Sequence, residues 1–198
     1  MDSLQHPPRL TAPRCHPTAR RSRPAQRGIT LVEAAITLAI LAVLVFGAAP
    51  SFSGLIERQR LAGLAAQVVT DVQFVRSAAV WRNEPLRLSF YSAAWGSCYV
   101  VHSGARNQCA CAADTTAVCT GDAVQLKTVS VPASGGLSVQ ANVASILFDP
   151  LHGTSTPTGT LRVASATAGS IHHIVNVLGR VRTCTPTGSP ALPGYRTC

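Results

Sequence analysis

The chain is poor in charged and in aromatic residues: of its 198 residues, 13% are charged and 5% are aromatic. A low charged fraction beside 46% hydrophobic residues excludes a disordered chain, which would be more charged and less apolar. With few aromatics, the core must consist mainly of Val, Leu, Ile and Ala. Only one segment is apolar and long enough to cross a bilayer, which excludes a multi-span membrane protein.

Catalytic and cofactor-binding motifs are also lacking. The sequence contains no nucleophile elbow, no phosphate-binding loop and no paired carboxylates, and the few acids of the C-terminal part are scattered. We therefore expect neither an enzyme nor a bound cofactor. The length suits one domain of ordinary size plus an appendage.

Acidic residues are few, and the basic ones are concentrated at the N terminus. The chain has 17 Lys+Arg against 8 Asp+Glu, and residues 1–28 alone hold six arginines against one aspartate. This leader is rich in proline and lacks apolar periodicity, so it cannot bury enough surface to fold. Taken alone, it would be a basic tail for nucleic acid. Ahead of an apolar segment, it is a cytoplasmic flank that sets orientation by the positive-inside rule.

The apolar segment that follows covers residues 29–49, which read ITLVEAAITLAILAVLVFGAA. Its 21 residues would form a helix of about 31 Å, enough to cross the hydrocarbon core of a bilayer. Glu33 is the only charge in this run. A carboxylate at that depth costs a few kcal/mol, so its presence indicates a function.

The residues around this segment carry a resemblance. Gly28, Ile29, Glu33 and Pro50, at these spacings, resemble the class III signal of type IV pilins and type II secretion pseudopilins. The resemblance implies cleavage by a prepilin peptidase after Gly28, N-methylation of Ile29 and a helix kink at Pro50. Ile29 departs mildly from the Phe that the family more often has at the first mature position.

The same resemblance assigns Glu33 to assembly. In the family, this glutamate pairs with the N-terminal amine of a neighbouring subunit, and pairing two buried charges offsets much of their cost. The implied partners are other major and minor pilins and the prepilin peptidase. The implied location is the inner membrane, crossed once, with the head in the periplasm and later in a pilus or pseudopilus.

Beyond the membrane segment, apolar residues recur every three or four positions, as on one face of an amphipathic helix. They are Leu61, Leu64, Ala65, Val68, Val72, Val75 and Ala79. Pro85 disfavours helix at Glu84, so we expect one helix of about 54 residues that ends there. The predicted domain plan is a cleaved leader at 1–28, a transmembrane half-helix at 29–50, an amphipathic half-helix at 51–84 and a β-rich periplasmic head at 85–198.

After Pro85 the pattern changes to short strands separated by Gly, Pro, Ser and Asn. The predicted strands cover residues 86–91, 98–102, 124–131, 137–139, 145–148, 160–164 and 171–181. The predicted fold class is therefore α+β, with a long N-terminal helix, membrane-spanning and then amphipathic, packed on an antiparallel β-sheet head.

Seven cysteines are present, and Cys15 lies in the leader. The other six are Cys98, Cys109, Cys111, Cys119, Cys184 and Cys198. An even set in an oxidising compartment indicates disulfides, of which we favour Cys184–Cys198, with the remaining four crosslinking the 98–119 hairpin. Alternatively, Cys109 and Cys111 with His102 would bind zinc, although their spacing matches no common zinc site.

The C-terminal fifth narrows the resemblance. It contains Phe148-Asp149-Pro150, a His-His pair at 172–173 and Gly179-Arg180-Val181-Arg182. Residues 28 to 186 resemble the GspH/FimT group of minor pilins and pseudopilins. The last motif resembles the GRxR motif of the FimT branch, which is linked to DNA binding in natural transformation.

Elementary chemistry supports a DNA site at this motif. Arg180 and Arg182 are two residues apart, so on a strand they share a face, and two guanidiniums there can clamp phosphate oxygens. Gly179 lets a backbone come close, and Arg196 and Arg162 extend the patch. The alternative is that these arginines are solvated strand-end charges or internal salt bridges.

Two functions follow from these observations. The first is a minor type IV pilin, within or at the tip of a pilus, that binds extracellular double-stranded DNA for uptake in natural transformation. The second is a GspH-like pseudopilin or pilus-priming subunit with a purely structural role. Residues 51–198 carry 11 basic and 6 acidic side chains, so any DNA binding should be weak, salt-sensitive and independent of sequence. His172 and His173 are adjacent, so they point to opposite faces of a strand, and no role is assigned to them.

Overall fold

The computed structural model describes residues 28–112, 116–190 and 192–198, without the side chains of residues 48–51. The leader up to residue 27, with Cys15, lies outside these residues, and so does the side chain of Pro50. Residues up to Leu44 form one compact unit, and Val45–Cys198 form another.

The first element is the helix α1, Leu31–Arg82. Thr30 caps its N terminus, because Thr30 Oγ1 accepts the Glu33 N–H at 3.2 Å and the Thr30 carbonyl accepts the Ala34 N–H at 3.0 Å. Asn83 ends the helix with a φ of 51°, and the Glu84 N–H donates to the Ala79 carbonyl at 3.1 Å. This left-handed cap ends the helix two residues before the predicted position.

Within the described residues, no single helix has both the length and the hydropathy of a membrane span. The segments Leu31–Gly47 and Phe52–Arg82 of α1, taken together, have the length and the hydropathy of a membrane span.

The rest of the chain forms short strands. They are β1 (Leu86–Ala93), β2 (Gly96–Ser103), β3 (Cys109–Cys111), β4 (Ala117–Cys119), β5 (Gln125–Pro132), β6 (Leu137–Ala141), β7 (Ser145–Phe148), β8 (Ser155–Thr156), β9 (Gly159–Ser165), β10 (Gly169–Val175) and β11 (Val181–Cys184). Among the described residues, they make a five-stranded sheet in the order β5-β2-β1-β7-β8, a four-stranded sheet in the order β11-β10-β9-β6 and the hairpin β3-β4. Every pair of these strands is antiparallel.

The core lies between α1 and the inner faces of the sheets. The helix contributes the predicted apolar face, of which Leu61, Ala65, Val68, Val72, Val75 and Ala79 are buried and Leu64 is partly buried. Buried Asp71, also on α1, accepts hydrogen bonds from the Tyr99 hydroxyl at 2.7 Å and from Lys127 Nζ at 2.5 Å. These bonds tie the helix to β2 and β5. The α+β class, with a long N-terminal helix packed on antiparallel sheets, is confirmed.

One predicted strand is wrong in a way that matters for function. Residues 171–181 do not form a single strand but the hairpin of β10 and β11, with a turn at 176–180. The apolar run through Val177 and Leu178 suggested continuity, yet both side chains are exposed in the turn. The short elements β3, β4 and β8 are not among the predicted strands.

Three disulfides crosslink the head: Cys98–Cys111, Cys109–Cys119 and Cys184–Cys198. The last is the favoured pair, and the first two join β2, β3 and β4 as a crosslinked hairpin region. Because both Cys109 and Cys111 are oxidised, the zinc alternative is wrong. The third candidate ligand, His102, is buried, with Nε2 at 2.8 Å from Ser89 Oγ and Nδ1 at 2.7 Å from the Ser103 carbonyl.

Candidate nucleic-acid interface

The candidate interface is built around the turn between β10 and β11. Asn176 organises this turn, because its Oδ1 accepts the N–H of Leu178 at 3.1 Å and that of Arg180 at 2.9 Å. The Asn176 N–H in turn donates to the Arg180 carbonyl at 3.1 Å. These bonds hold the backbone on both sides of Arg180, so the side chain projects from a fixed base.

Gly179 docks the turn onto α1. Its φ is 68°, which favours glycine, and a Cβ at this position would lie 2.9 Å from Arg76 Cδ and 3.3 Å from the Gly153 carbonyl oxygen. Arg76 Nε donates to the same carbonyl at 3.0 Å. Gly179 is buried there. Gly179 therefore shapes and anchors the turn, and its contact with DNA stays a prediction.

Arg180 and Arg182 are both exposed, and they border one surface depression with Ile174, Asn176 and Val181. Neither forms a salt bridge with another described residue. The acids that form salt bridges among the described residues have other partners. Glu57 pairs with Arg60, Glu84 with Arg82, Asp71 with Lys127 and Asp149 with His152. The alternative of internal salt bridges thus has no support among the described residues, and both guanidiniums face solvent.

Arg162 lies on the same face of the four-stranded sheet as Arg182. Arg182 is opposite Ile174, and two residues further along β10 His172 is opposite Arg162 of β9. Directly opposed residues, and residues two apart on a strand, point to the same side of a sheet. Burial and the charge of Arg162 both lower the pKa of His172, burial being the larger effect.

Arg196 is held beside the end of β11. Thr185 pairs with Thr197, its N–H donates to the Arg196 carbonyl at 2.8 Å, and its carbonyl accepts the Cys198 N–H at 2.8 Å. The disulfide Cys184–Cys198 crosslinks the same two segments. The exposed Arg196 side chain therefore stands on a segment fixed to the strand that carries Arg182.

The two adjacent histidines lie on opposite faces of β10, as predicted. His173 faces the helix, is buried, and has Nδ1 at 2.9 Å from Thr183 Oγ1. Burial lowers its pKa to about 4, against the raising effect of the Ala65 carbonyl. His173 is thus a neutral core residue at physiological pH.

Arg76 and the loop around Gly153 are the parts of this region that the sequence did not indicate. Arg76 lies off the apolar face of a predicted helix, and nothing in its local sequence links it to Gly179. Their contact depends on the packing of the β10–β11 turn against α1.

Comparison with known families decides the class of protein. Residues 64–179 match the family profile described as type II transport protein GspH, which is more than half of the chain. The chain belongs to the GspH family. Residues 23–49 match the prokaryotic N-terminal methylation motif, and this range includes Gly28, Ile29 and Glu33. The GspH match ends at Gly179, so it contains neither Arg180 nor Arg182.

Among solved structures, the chain is similar to the type IV minor pilin FimU of Pseudomonas aeruginosa strain PAO1. One crystal form of FimU is 17% identical, with a TM-score of 0.48, covering 68% of this chain and 95% of FimU. A second crystal form is 15% identical, with a TM-score of 0.45, covering 65% and 96%. No curated protein sequence matches the chain.

The GspH family member is thus a minor pilin or pseudopilin, that is, a structural subunit. This class implies assembly with other pilins and processing by a prepilin peptidase. The N-terminal motif indicates a membrane anchor with a periplasmic head. In the structure, the side chains of Ile29, two residues before α1, and of Glu33, in the first turn of α1, are both exposed.

Proposed function

We propose that this protein is a minor type IV pilin that binds extracellular double-stranded DNA for uptake in natural transformation. The observation that carries the proposal is the pair of exposed guanidiniums of Arg180, in the anchored turn, and Arg182, on β11, which border one depression and have no acidic partner among the described residues. Arginine is suited to this contact because its planar fork binds phosphate oxygens bidentately.

The surroundings of the turn favour an extended anionic ligand. Arg162 on the same sheet face and Arg196 beside β11 would add contacts to further phosphates. Such contacts carry no sequence information, so the expected binding is independent of sequence and weakens with salt as counterions compete.

The N-terminal segment would deliver this head to the filament. In the proposal, a prepilin peptidase cuts after Gly28, Ile29 is N-methylated, and residues 29–50 cross the inner membrane until assembly. Glu33 pairs with the N-terminal amine of a neighbouring subunit, and Pro50 kinks the helix. The half-helix 51–84 then carries the head 85–198, within or at the tip of the pilus.

DNA binding is tested with the full-length protein in detergent, after a prepilin peptidase has removed the basic leader. Fluorescence anisotropy with a labelled duplex, at about 50 mM and about 200 mM salt, compares wild type with the double variant Arg180→Ala/Arg182→Ala. We expect the variant to lose most of the affinity and to lower the salt slope by about two.

The matched control is Arg58→Ala/Arg106→Ala, which removes the same charge from exposed positions elsewhere. It should bind the duplex almost as wild type does. If both double variants weaken binding equally, the turn is not the site, and only net charge matters.

A structural role remains the second candidate. The observation that favours it is the family match itself, which bears the description of a type II transport protein and ends at Gly179. Under this candidate, a GspH-like pseudopilin or pilus-priming subunit contacts only other subunits. Wild type would then show no duplex binding that depends on Arg180 and Arg182.

A further inference from the structure

The C-terminal end of α1 and the loop after β7 expose an apolar patch next to the turn that carries Arg180. Three large side chains, Val80, Trp81 and Leu151, line one concavity together with Arg76 and His152. Trp81 is 85% exposed and Leu151 is 78% exposed. Soluble surfaces rarely leave such side chains clustered in a concavity without a binding role. We call these three residues the Trp81 patch.

The patch is continuous with the turn that carries Arg180. Arg76 lines the concavity, and it also lies where a Cβ on Gly179 would come within 2.9 Å of its Cδ. Gly153 lines the concavity as well, and a Cβ there would meet Arg76 Nε at 3.5 Å and Val80 Cγ2 at 3.8 Å. The turn that carries Arg180 and the Trp81 patch therefore both adjoin Arg76 and Gly153.

The rim of the patch favours an anionic ligand. Arg76 and His152 border it, and the turn that carries Arg180 packs against Arg76 through Gly179. The acids close by are already paired: Asp149 Oδ2 lies 2.6 Å from His152 Nδ1, and Glu84 Oε2 lies 3.4 Å from Arg82 Nε. An exposed indole in one concavity with an arginine matches the chemistry of a nucleotide, whose base stacks on an aromatic plane while its phosphate pairs with arginine.

We propose that the Trp81 patch extends the arginine turn into a site for unpaired nucleotides, so that the head holds DNA by a single-stranded end. This inference rests on the proposed DNA binding at Arg180 and Arg182. Unpaired bases present free faces along the whole strand, whereas in a duplex only the terminal pairs do, because the inner bases are stacked on one another. Along its length a duplex would thus use the arginines alone, and an unpaired end would use the arginines and Trp81.

The first test measures two ligands on the peptidase-processed full-length protein in detergent. The probes are an oligothymidylate, which forms no duplex, and a blunt duplex with an equal number of phosphates. Trp81→Ala should weaken oligothymidylate binding about tenfold, since stacking on an aromatic side chain is worth this much per base. Its duplex affinity should stay within about twofold of wild type.

Two further variants separate stacking from shape and folding. Leu151→Ala removes an exposed apolar side chain from the same concavity without removing an aromatic plane, so it should change oligothymidylate affinity little. Trp81→Phe keeps a plane and should restore most of the lost affinity. A Trp81→Ala protein that failed to fold would lose duplex binding as well, which distinguishes misfolding from lost stacking.

A spectroscopic readout reports on stacking directly. The chain has two tryptophans, and Trp95 packs near the disulfide hairpin. In a Trp95→Phe variant, emission comes from Trp81 alone, and oligothymidylate should quench it whereas the duplex should not.

The outcomes separate this inference from the proposed function. If Trp81→Ala binds oligothymidylate as wild type does, or if Trp81 emission is not quenched, the inference is overturned, even where duplex binding still depends on Arg180 and Arg182. If neither DNA form binds, both proposals fail together. If Trp81→Ala instead disrupts crosslinking to other pilins while nucleotide binding is unchanged, the patch is a subunit interface and the inference is likewise overturned.

Discussion

The two faces of the four-stranded sheet use the same strands for opposite purposes. On the inner face, Leu161, Ile171 and His173 are buried against the core. On the outer face, Arg162 and Arg182 are exposed, although each is a chain neighbour of a buried or partly buried residue. The difference arises from strand geometry, in which successive side chains point to opposite sides.

The adjacent histidines of β10 make the contrast plainest. His173 is buried with its Nδ1 near Thr183, whereas His172 is only partly buried and lies opposite Arg162. Two identical side chains, one residue apart, therefore belong to the core and to the candidate interface. The inner face determines stability, and the outer face is available for binding.

The largest expected effect comes from truncating the inner face. Leu161→Ala should lower the free energy of unfolding by about 2 to 5 kcal/mol, because it leaves a cavity in a closed core. Its chain neighbour on the outer face offers the control: Arg162→Ala should change stability by less than about 0.5 kcal/mol. Urea unfolding of the detergent-solubilised protein measures both free energies. Equal effects would show that the two faces of the sheet do not differ in their contribution to stability.

The second effect is a pH dependence confined to the inner histidine. Folded His173 has a pKa of about 4, against 6.5 in an unfolded chain, so between these values the unfolded state binds the extra proton. Its contribution to stability is present in full above pH 6.5 and is lost as the pH falls towards 4. The loss should reach about 3 kcal/mol.

Stability measured from pH 7.5 to 4 tests this, because that range spans the interval between the unfolded and the folded pKa of His173. His173→Gln should flatten the dependence by close to one proton, whereas His172→Gln, on the outer face, should leave most of it. A wild-type profile that His173→Gln does not alter would show that the dependence arises from other groups.

The smallest expected effect concerns the turn that joins the two strands of the hairpin. Gly179 and Gly188 both have left-handed backbones, but a Cβ would meet Arg76 only at Gly179, since none of the described atoms lies within 4 Å of that position at Gly188. Both Ala substitutions carry backbone strain, and Gly179→Ala should cost about 1 kcal/mol more because Arg76 must move. The difference in unfolding free energy isolates this packing. Gly179→Ala should also weaken DNA binding, and Gly188→Ala should not.

Local patterns in the sequence predicted a large part of the fold. The spacing from Leu61 to Ala79 placed the buried face of α1, because a helix repeats its contacts every three to four residues. The prediction of one strand over 171–181 was wrong, because the apolar residues Val177 and Leu178 look like a continuation of the strand. In the structure, the side chain of Asn176 accepts backbone N–H groups and starts a turn there. The pair Cys184–Cys198 was expected, but the pairs Cys98–Cys111 and Cys109–Cys119 depend on the small hairpin β3-β4.

The candidate site, like the fold, was predicted only in part from the sequence. The Gly179–Arg182 motif was visible in the sequence, and so was the opposite orientation of the two histidines. The anchoring of the turn by Arg76, the burial of Gly179 and the position of Trp81 next to the turn were not, because each joins residues far apart in the chain.

By itself, the sequence determined the class of this protein: the basic leader, the apolar run with Glu33 and the helical periodicity are encoded in neighbouring residues, where local physics acts. Only the tertiary structure decided which arginines are free, which glycine is a packing residue and which apolar side chains remain exposed. The physical reason is that charge pairing, burial and exposure depend on what else in the chain comes within a few ångströms, and that is set by packing between distant segments.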